Sequence, residues 1–200
     1  GMNFAGLIDA GLPTLPFLGA GRLMASGHGY AGEGDVLTAL LNRALLEIGD
    51  EVSFTELFNP DYAANEIFLS HMGEANIALR NPDLPVRLVE KHFAWGNIVP
   101  PVVPVFQYKP GEVTVVSISE QAGTNSGFQL VAFCGRIRQA PEHPNLEVPY
   151  SRLELDRPLA DLLEEYSRLG GTHHAVLIYG RHTASLERIC RYCGMNYHEM

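Results

Sequence analysis

Four side chains of the types that hold a divalent cation, Glu33, Glu56, His71 and His174, stand at the ends of short structural elements, where carboxylate oxygens and imidazole nitrogens can converge. Glu33 lies between two glycines in Gly32-Glu33-Gly34-Asp35, so a ligand can come close to the backbone; the competing reading is a carboxylate that complements the positive end of the helix that follows. Glu56 sits in Phe54-Thr55-Glu56-Leu57-Phe58, where strand alternation puts Phe54, Glu56 and Phe58 on one face. A charge in that company must be paired, metal-bound or at an open edge. His71 closes the apolar run Ile67 to Met72, and taken singly it reads as an ordinary core or surface histidine. His173-His174 opens another apolar strand, so one ring should face the site and the other turn away.

Other chemistry-bearing patterns are thin. Cys190 and Cys193 form a lone Cys-x-x-Cys within a helical stretch, and without a second pair to complete a tetrahedral site they read as packing residues. The Gly-rich head carries no phosphate-cradling motif, and no Gly-x-Ser-x-Gly elbow is present.

The elements that would position the four candidates follow from periodicity. Residues 3 to 32 are rich in Gly and Pro and read as loop and turn. From Asp35, apolar residues at helical spacing (Leu37, Leu41, Ala44, Leu45, Ile48) predict a helix stopped by Gly49. Val52 to Phe58 and Glu66 to Met72 predict a pair of strands joined through the turn signal Asn59-Pro60-Asp61. Four further strands are expected, over Val86 to Phe93, Val102 to Tyr108, Glu112 to Ser119 and Phe128 to Arg138; their short Gly/Pro turns suggest an antiparallel barrel or sandwich. After a Pro-containing link from Pro141 to Pro149 come a helix over Leu159 to Leu169 stopped by Gly170-Gly171, a strand His174 to Tyr179, a helix Thr183 to Tyr192 with Thr183 as N-cap, and a short strand Met195 to His198.

Composition sets outer limits. A hydrophobic fraction of 46% in 200 residues can bury a sizeable core. A net charge of -9 with only 14 Lys+Arg argues against nucleic acid as a partner. No apolar run approaches the roughly 20 residues of a membrane span, and three cysteines make no disulfide framework, so a cytoplasmic setting is expected.

The segment Gly29 to Leu41, built around Gly32-Glu33-Gly34-Asp35, resembles the glycine-flanked Glu-Gly-Asp and following helix of the L-arabinose/L-fucose isomerase family. Ser53-Phe54-Thr55-Glu56 and Ser70-His71-Met72-Gly73-Glu74 resemble that family's next two metal-ligand segments, in order and at similar separation. Gly170-Gly171-Thr172-His173-His174 is similar to its Gly-Gly-Ala-His-His stretch, with Thr172 and Ala175 departing from the pattern.

The resemblance implies that Glu33, Glu56, His71 and His174 hold a Mn²⁺-type ion, with His173 supporting the ligands and Met72 lining a sugar pocket. It implies that Glu33 and Glu56 also handle protons, in aldose-ketose isomerisation of an open-chain sugar through an enediolate. A homo-oligomer with shared sites is implied as well. The family's larger members begin with Rossmann-like domains, to which nothing in this sequence corresponds. The expected fold is mixed α/β (α+β): residues 1–80 as an α/β segment carrying metal-ligand motifs, and residues 81–200 as an antiparallel, Greek-key-like β-barrel with flanking helices, as two parts or as one compact unit. Two rival functions stay open: a metal- or sugar-binding domain without turnover, and a purely structural barrel.

Overall fold

A computed structural model describes residues 4–93, 98–123 and 125–200; Asn3, at the head of the Gly/Pro-rich stretch, lies outside them. The chain runs α1 (Phe4–Asp9), α2 (Phe17–Ala25), α3 (Val36–Leu45), β1 (Val52–Asp61), β2 (Glu66–Ser70), a short 3-10 turn (Ile77–Leu79), β3 (Arg87–Glu90), β4 (Val102–Val105), β5 (Gly111–Glu120), β6 (Phe128–Arg138), β7 (Tyr150–Leu155), α4 (Leu159–Arg168), β8 (His174–Tyr179), α5 (Thr183–Cys193) and β9 (Asn196–Glu199).

Six antiparallel strands close into a barrel in the order β5-β8-β1-β2-β7-β6, with β6 returning to β5. Neighbours in space are often distant in sequence, in the Greek-key-like manner expected, and β9 adds in parallel outside β6. Closure leaves no free edge among the six barrel strands. β8 illustrates how an uninterrupted apolar run serves such a wall. Ala175 and Leu177 point into the interior, with Leu69, Val115 and Phe133, while Val176 and Ile178 pack outward under Leu41 and Leu45 of α3 and Leu186 of α5. α4 lays Leu159, Leu162 and Tyr166 against the interior cluster.

Several elements depart from the sequence reading. The stretch expected as loop contains α1 and α2: Phe17, Ala20, Gly21 and Met24 recur at helical spacing and are buried. Gly21 is required there, since a Cβ would stand 2.6 Å from the Ala75 carbonyl oxygen. It permits close packing and does not break the helix. β1 extends through Asn59-Pro60-Asp61, with a register irregularity between Leu57 and Asn59, so the turn falls later, ending at Asn65 with φ 56°. Pro60 is tolerated because it sits near the hairpin end of the strand. β3 and β4 do not join the barrel but pair with each other as a separate ribbon. Their places are taken by β1, β2 and β7. β7 was missed because prolines crowd the preceding link, although Leu153 and Leu155 alternate inward. α3 ends at Leu45, with turns leading to Gly49, and α5 is preceded by His182 as N-cap in place of Thr183, with no side-chain cap bond.

Candidate metal centre

The barrel wall presents a cluster on its outer face. Glu56 stands directly opposite both Ser70 of β2 and His174 of β8, so these residues share the outward side of the sheet with Phe54 two positions earlier. α3 begins above this face. Its N-cap, Asp35, accepts from the Thr38 backbone N–H at 2.9 Å and from the Thr38 hydroxyl at 2.7 Å. The preceding turn puts Glu33 in the left-handed region at φ 57°, an uncommon conformation for a residue with a side chain.

Glu33, His71 and His174 come together, each offering a ligand atom within 4.8 Å of the others. His174 Nε2 lies 3.8 Å from the Glu33 carboxylate. That nitrogen is buried and has no hydrogen-bond partner among the described residues, while His174 Nδ1 is bonded to Asp35 Oδ2 at 3.0 Å. On the other ring, His71 Nδ1 meets Glu74 Oε2 at 2.7 Å, and Glu74 Oε1 accepts from the Tyr30 hydroxyl at 2.9 Å. Glu74 and His71 are both buried. Phe54 is fully buried against both imidazoles, edge-on to His71 at 4.8 Å and to His174 at 5.1 Å, and the two imidazoles meet each other edge-on at 5.3 Å. Gly32 lies against the same cluster, where a Cβ would come within 2.8 Å of His71 Cε1.

The electrostatics follow from this arrangement. Burial works against a charged His71, but the hydrogen bond and charge of Glu74, with the charges of Glu56 and Glu33, outweigh it and hold the His71 pKa above its ordinary value. Burial likewise opposes ionisation of Asp35, and the hydrogen bonds from Thr38 and His174 overcome it and lower its pKa. Tyr30 is pushed far up by burial and by the charge and hydrogen bond of Glu74, so it remains a phenol that donates.

Of the residues singled out in the sequence, Glu33, His71 and His174 are thus gathered. Glu56 shares their face and its charge acts on His71, but it stands outside the tight trio. His173 is exposed, its ring tilted against His174 with centroids 4.4 Å apart, and its carbonyl accepts from the Leu57 N–H at 2.9 Å. Met72 packs against the apolar cluster of Leu15, Phe17 and Val103, and its carbonyl accepts from Lys91 Nζ at 2.9 Å. Cys190 is a packing residue as expected, on the buried face of α5, while Cys193 is exposed. The sequence reading gave no role to Asp35, Glu74, Tyr30 or Phe54. Glu74, a lone carboxylate flanked by Gly73 and Ala75, carried a usable signal; Asp35 was hidden behind its position at a helix start.

Among the described residues, no helix is long and apolar enough to cross a membrane. The family model of the L-arabinose isomerase C-terminal domain matches residues 51–196, and that of the L-arabinose isomerase central domain matches residues 2–51. Similar curated proteins include L-arabinose isomerase 2 of Bacillus licheniformis, 32% identical over 171 residues that cover 84% of this chain and 35% of the relative. The L-arabinose isomerase of Nocardioides sp. is 31% identical over 188 residues (88% and 35%), and that of Escherichia coli strain 55989 is 28% identical over 193 residues (93% and 37%). The chain therefore spans little more than a third of the length of these relatives. With the matched C-terminal domain covering most of the chain and including the closed barrel, Glu56, His71 and His174, the chain belongs to the L-arabinose isomerase family.

Proposed function

We propose that this chain carries the metal-holding and proton-handling side of an aldose-ketose isomerase site. The observation that carries the reading is the orphaned, buried Nε2 of His174, aimed toward Glu33 in a cluster completed by His71. An imidazole nitrogen buried without a partner is costly, and a cation at that point would satisfy it. Two imidazoles with carboxylates suit a Mn²⁺-type ion, which Glu33, Glu56, His71 and His174 would hold. When bound, such an ion supplies Lewis acidity at a sugar carbonyl.

The chain's own groups would do the rest. The Glu33 side chain is about half exposed (48%), so it can reach an open-chain sugar while its neighbours remain buried. In this reading Glu33 or Glu56 takes the proton from the carbon beside the carbonyl and returns it to the former carbonyl carbon, while the O2 hydroxyl proton passes to O1. The intermediate is a cis-enediolate and the product a ketose. The family relationship makes L-arabinose the first substrate to try. The buried wall behind the site, with Phe54 at its centre, keeps water from that side. A homo-oligomer is part of the same reading.

Titration with Mn²⁺ by calorimetry, on the wild type and on His174→Ala, tests the metal centre, and polarimetry with L-arabinose tests turnover. Stoichiometric binding that His174→Ala abolishes, with ketose formation, supports the reading. Binding without turnover leaves a metal- or sugar-binding domain, and no binding in either protein refutes the metal centre.

A further inference from the structure

The two carboxylate oxygens of Glu74 have different partners, and both partners are donors. Oε1 accepts from the Tyr30 hydroxyl at 2.9 Å, and Oε2 lies 2.7 Å from His71 Nδ1. The group is 1% exposed, so water does not compete for it. Tyr30 is held as a phenol and can only donate to an acceptor this close. A carboxylate that accepts on both sides requires the imidazole to present an N–H at Nδ1. For a neutral ring, that leaves the lone pair on Nε2.

We propose that Glu74, braced by Tyr30, is a positioning residue that fixes the tautomer and ring plane of His71, so that its Nε2 lone pair points at the point shared with Glu33 and His174. This rests on the reading of that cluster as a metal centre. The geometry around His71 has little slack. Gly32 faces the ring edge so closely that a Cβ there would be 2.8 Å from Cε1 and 3.5 Å from Nε2, and Phe54 lies edge-on to the ring at 4.8 Å. Glycine and phenylalanine restrict where the ring can go, but neither can choose which nitrogen carries the proton. Glu74 can. The arrangement is repeated at the second ring, where Asp35 Oδ2 bonds His174 Nδ1 at 3.0 Å and leaves His174 Nε2 buried and unpaired. Two histidines, one just after β2 and one opening β8, thus have the same nitrogen occupied by a carboxylate. The same polarity at both rings is what a centre built on two Nε2 lone pairs needs.

Long-range ¹H–¹⁵N correlation spectra of the histidine rings in the metal-free protein, at about pH 9 where a histidine is neutral, read the tautomer directly. The wild type is expected to show His71 as the Nδ1–H form. Glu74→Gln should keep that form, because the amide oxygen still accepts from Nδ1–H and the Tyr30 hydroxyl can turn to accept from the amide nitrogen. Glu74→Leu should move His71 toward the Nε2–H form, and Mn²⁺ titration should then show affinity lower by about 10–100-fold, with Glu74→Gln retaining more than Glu74→Leu. Tyr30→Phe should keep the tautomer and lose affinity by a smaller factor. An Nε2–H form of His71 in the wild type overturns the proposal even where Glu74→Leu fails to fold, and so does an unchanged tautomer in a folded Glu74→Leu. An Nδ1–H wild type that shows no Mn²⁺ affinity would leave Glu74's control of the ring intact and defeat the metal-centre reading instead.

Discussion

Replacing Phe54 removes the ring against which both imidazoles of the cluster pack. Phe54 is fully buried and meets His71, His174 and Tyr30 edge-on, at centroid distances of 4.8, 5.1 and 5.9 Å. Phe54→Ala should destabilise the chain by about 3–5 kcal/mol, the range for emptying a buried aromatic site. For a chain of this size that corresponds to a melting temperature lower by roughly 6–20 °C. Phe54→Leu keeps most of the volume and loses the three edge contacts, each contributing about 0.5–1.5 kcal/mol, so an intermediate loss is expected. The more informative quantity is the increment that Mn²⁺ gives to stability. At a concentration of about 100 Kd the wild type should gain about 2.7 kcal/mol. If the loosened rings weaken binding by about 10–100-fold, the same Mn²⁺ concentration gives Phe54→Leu only about 0.4–1.4 kcal/mol. Thermal unfolding followed by circular dichroism, with and without Mn²⁺, measures both effects on one sample. A Phe54→Leu protein that keeps the full Mn²⁺ increment would refute the idea that this ring sets the imidazole geometry.

Gly32→Ala places a methyl 2.8 Å from His71 Cε1 and 3.2 Å from Glu74 Oε1, so Mn²⁺ affinity should fall about tenfold or more in calorimetry while the fold persists; unchanged affinity would contradict the close approach. Asn76→Ala leaves the Val52 carbonyl without the 2.8 Å bond from Asn76 Nδ2 in a buried setting, and urea unfolding should show a loss of about 1–3 kcal/mol at unchanged m-value. Burial and the neighbouring Cys193 push the Cys190 thiol up to about 11, so at about pH 8 a disulfide-exchange reagent should modify exposed Cys193 while Cys190 reacts only on unfolding. Rapid labelling of Cys190 in the native protein would contradict its placement.

The strands beside the histidines were legible from their short apolar runs. His174 to Tyr179 reads as a strand from its apolar run alone, and pairing β8 with β1 puts His174 opposite Glu56. What failed was the inference from glycine and proline to irregular structure. Gly21 serves a tight helix-to-turn approach and Pro60 a strand end, and neither distinction shows in a single chain without its neighbours. The identity of the barrel strands was also hidden locally, since β3 and β4 read as strands from their apolar, β-branched content just as β1 and β2 do, and only tertiary pairing separates them. At the site, residues that reach the cluster directly were recognisable by type. Residues that act from behind them were harder to see: Asp35, bonded to His174, is masked by its place at a helix start, and Glu74, bonded to His71, shows only as a lone carboxylate between small residues.

The hydrogen bond from His174 to Asp35 joins residues 139 positions apart, and it exists only once β8 has docked along β1. Contacts of such separation require a large loop to close first, so they form late and limit the folding rate. During synthesis, Glu33, Glu56 and His71 emerge well before His174, so the ligand set proposed above would at first be partial. A cation at the proposed centre would therefore meet its full ligand set only after β8 is in place. Retention of a cation there would report that β8, the last of the barrel strands in sequence, has reached its place.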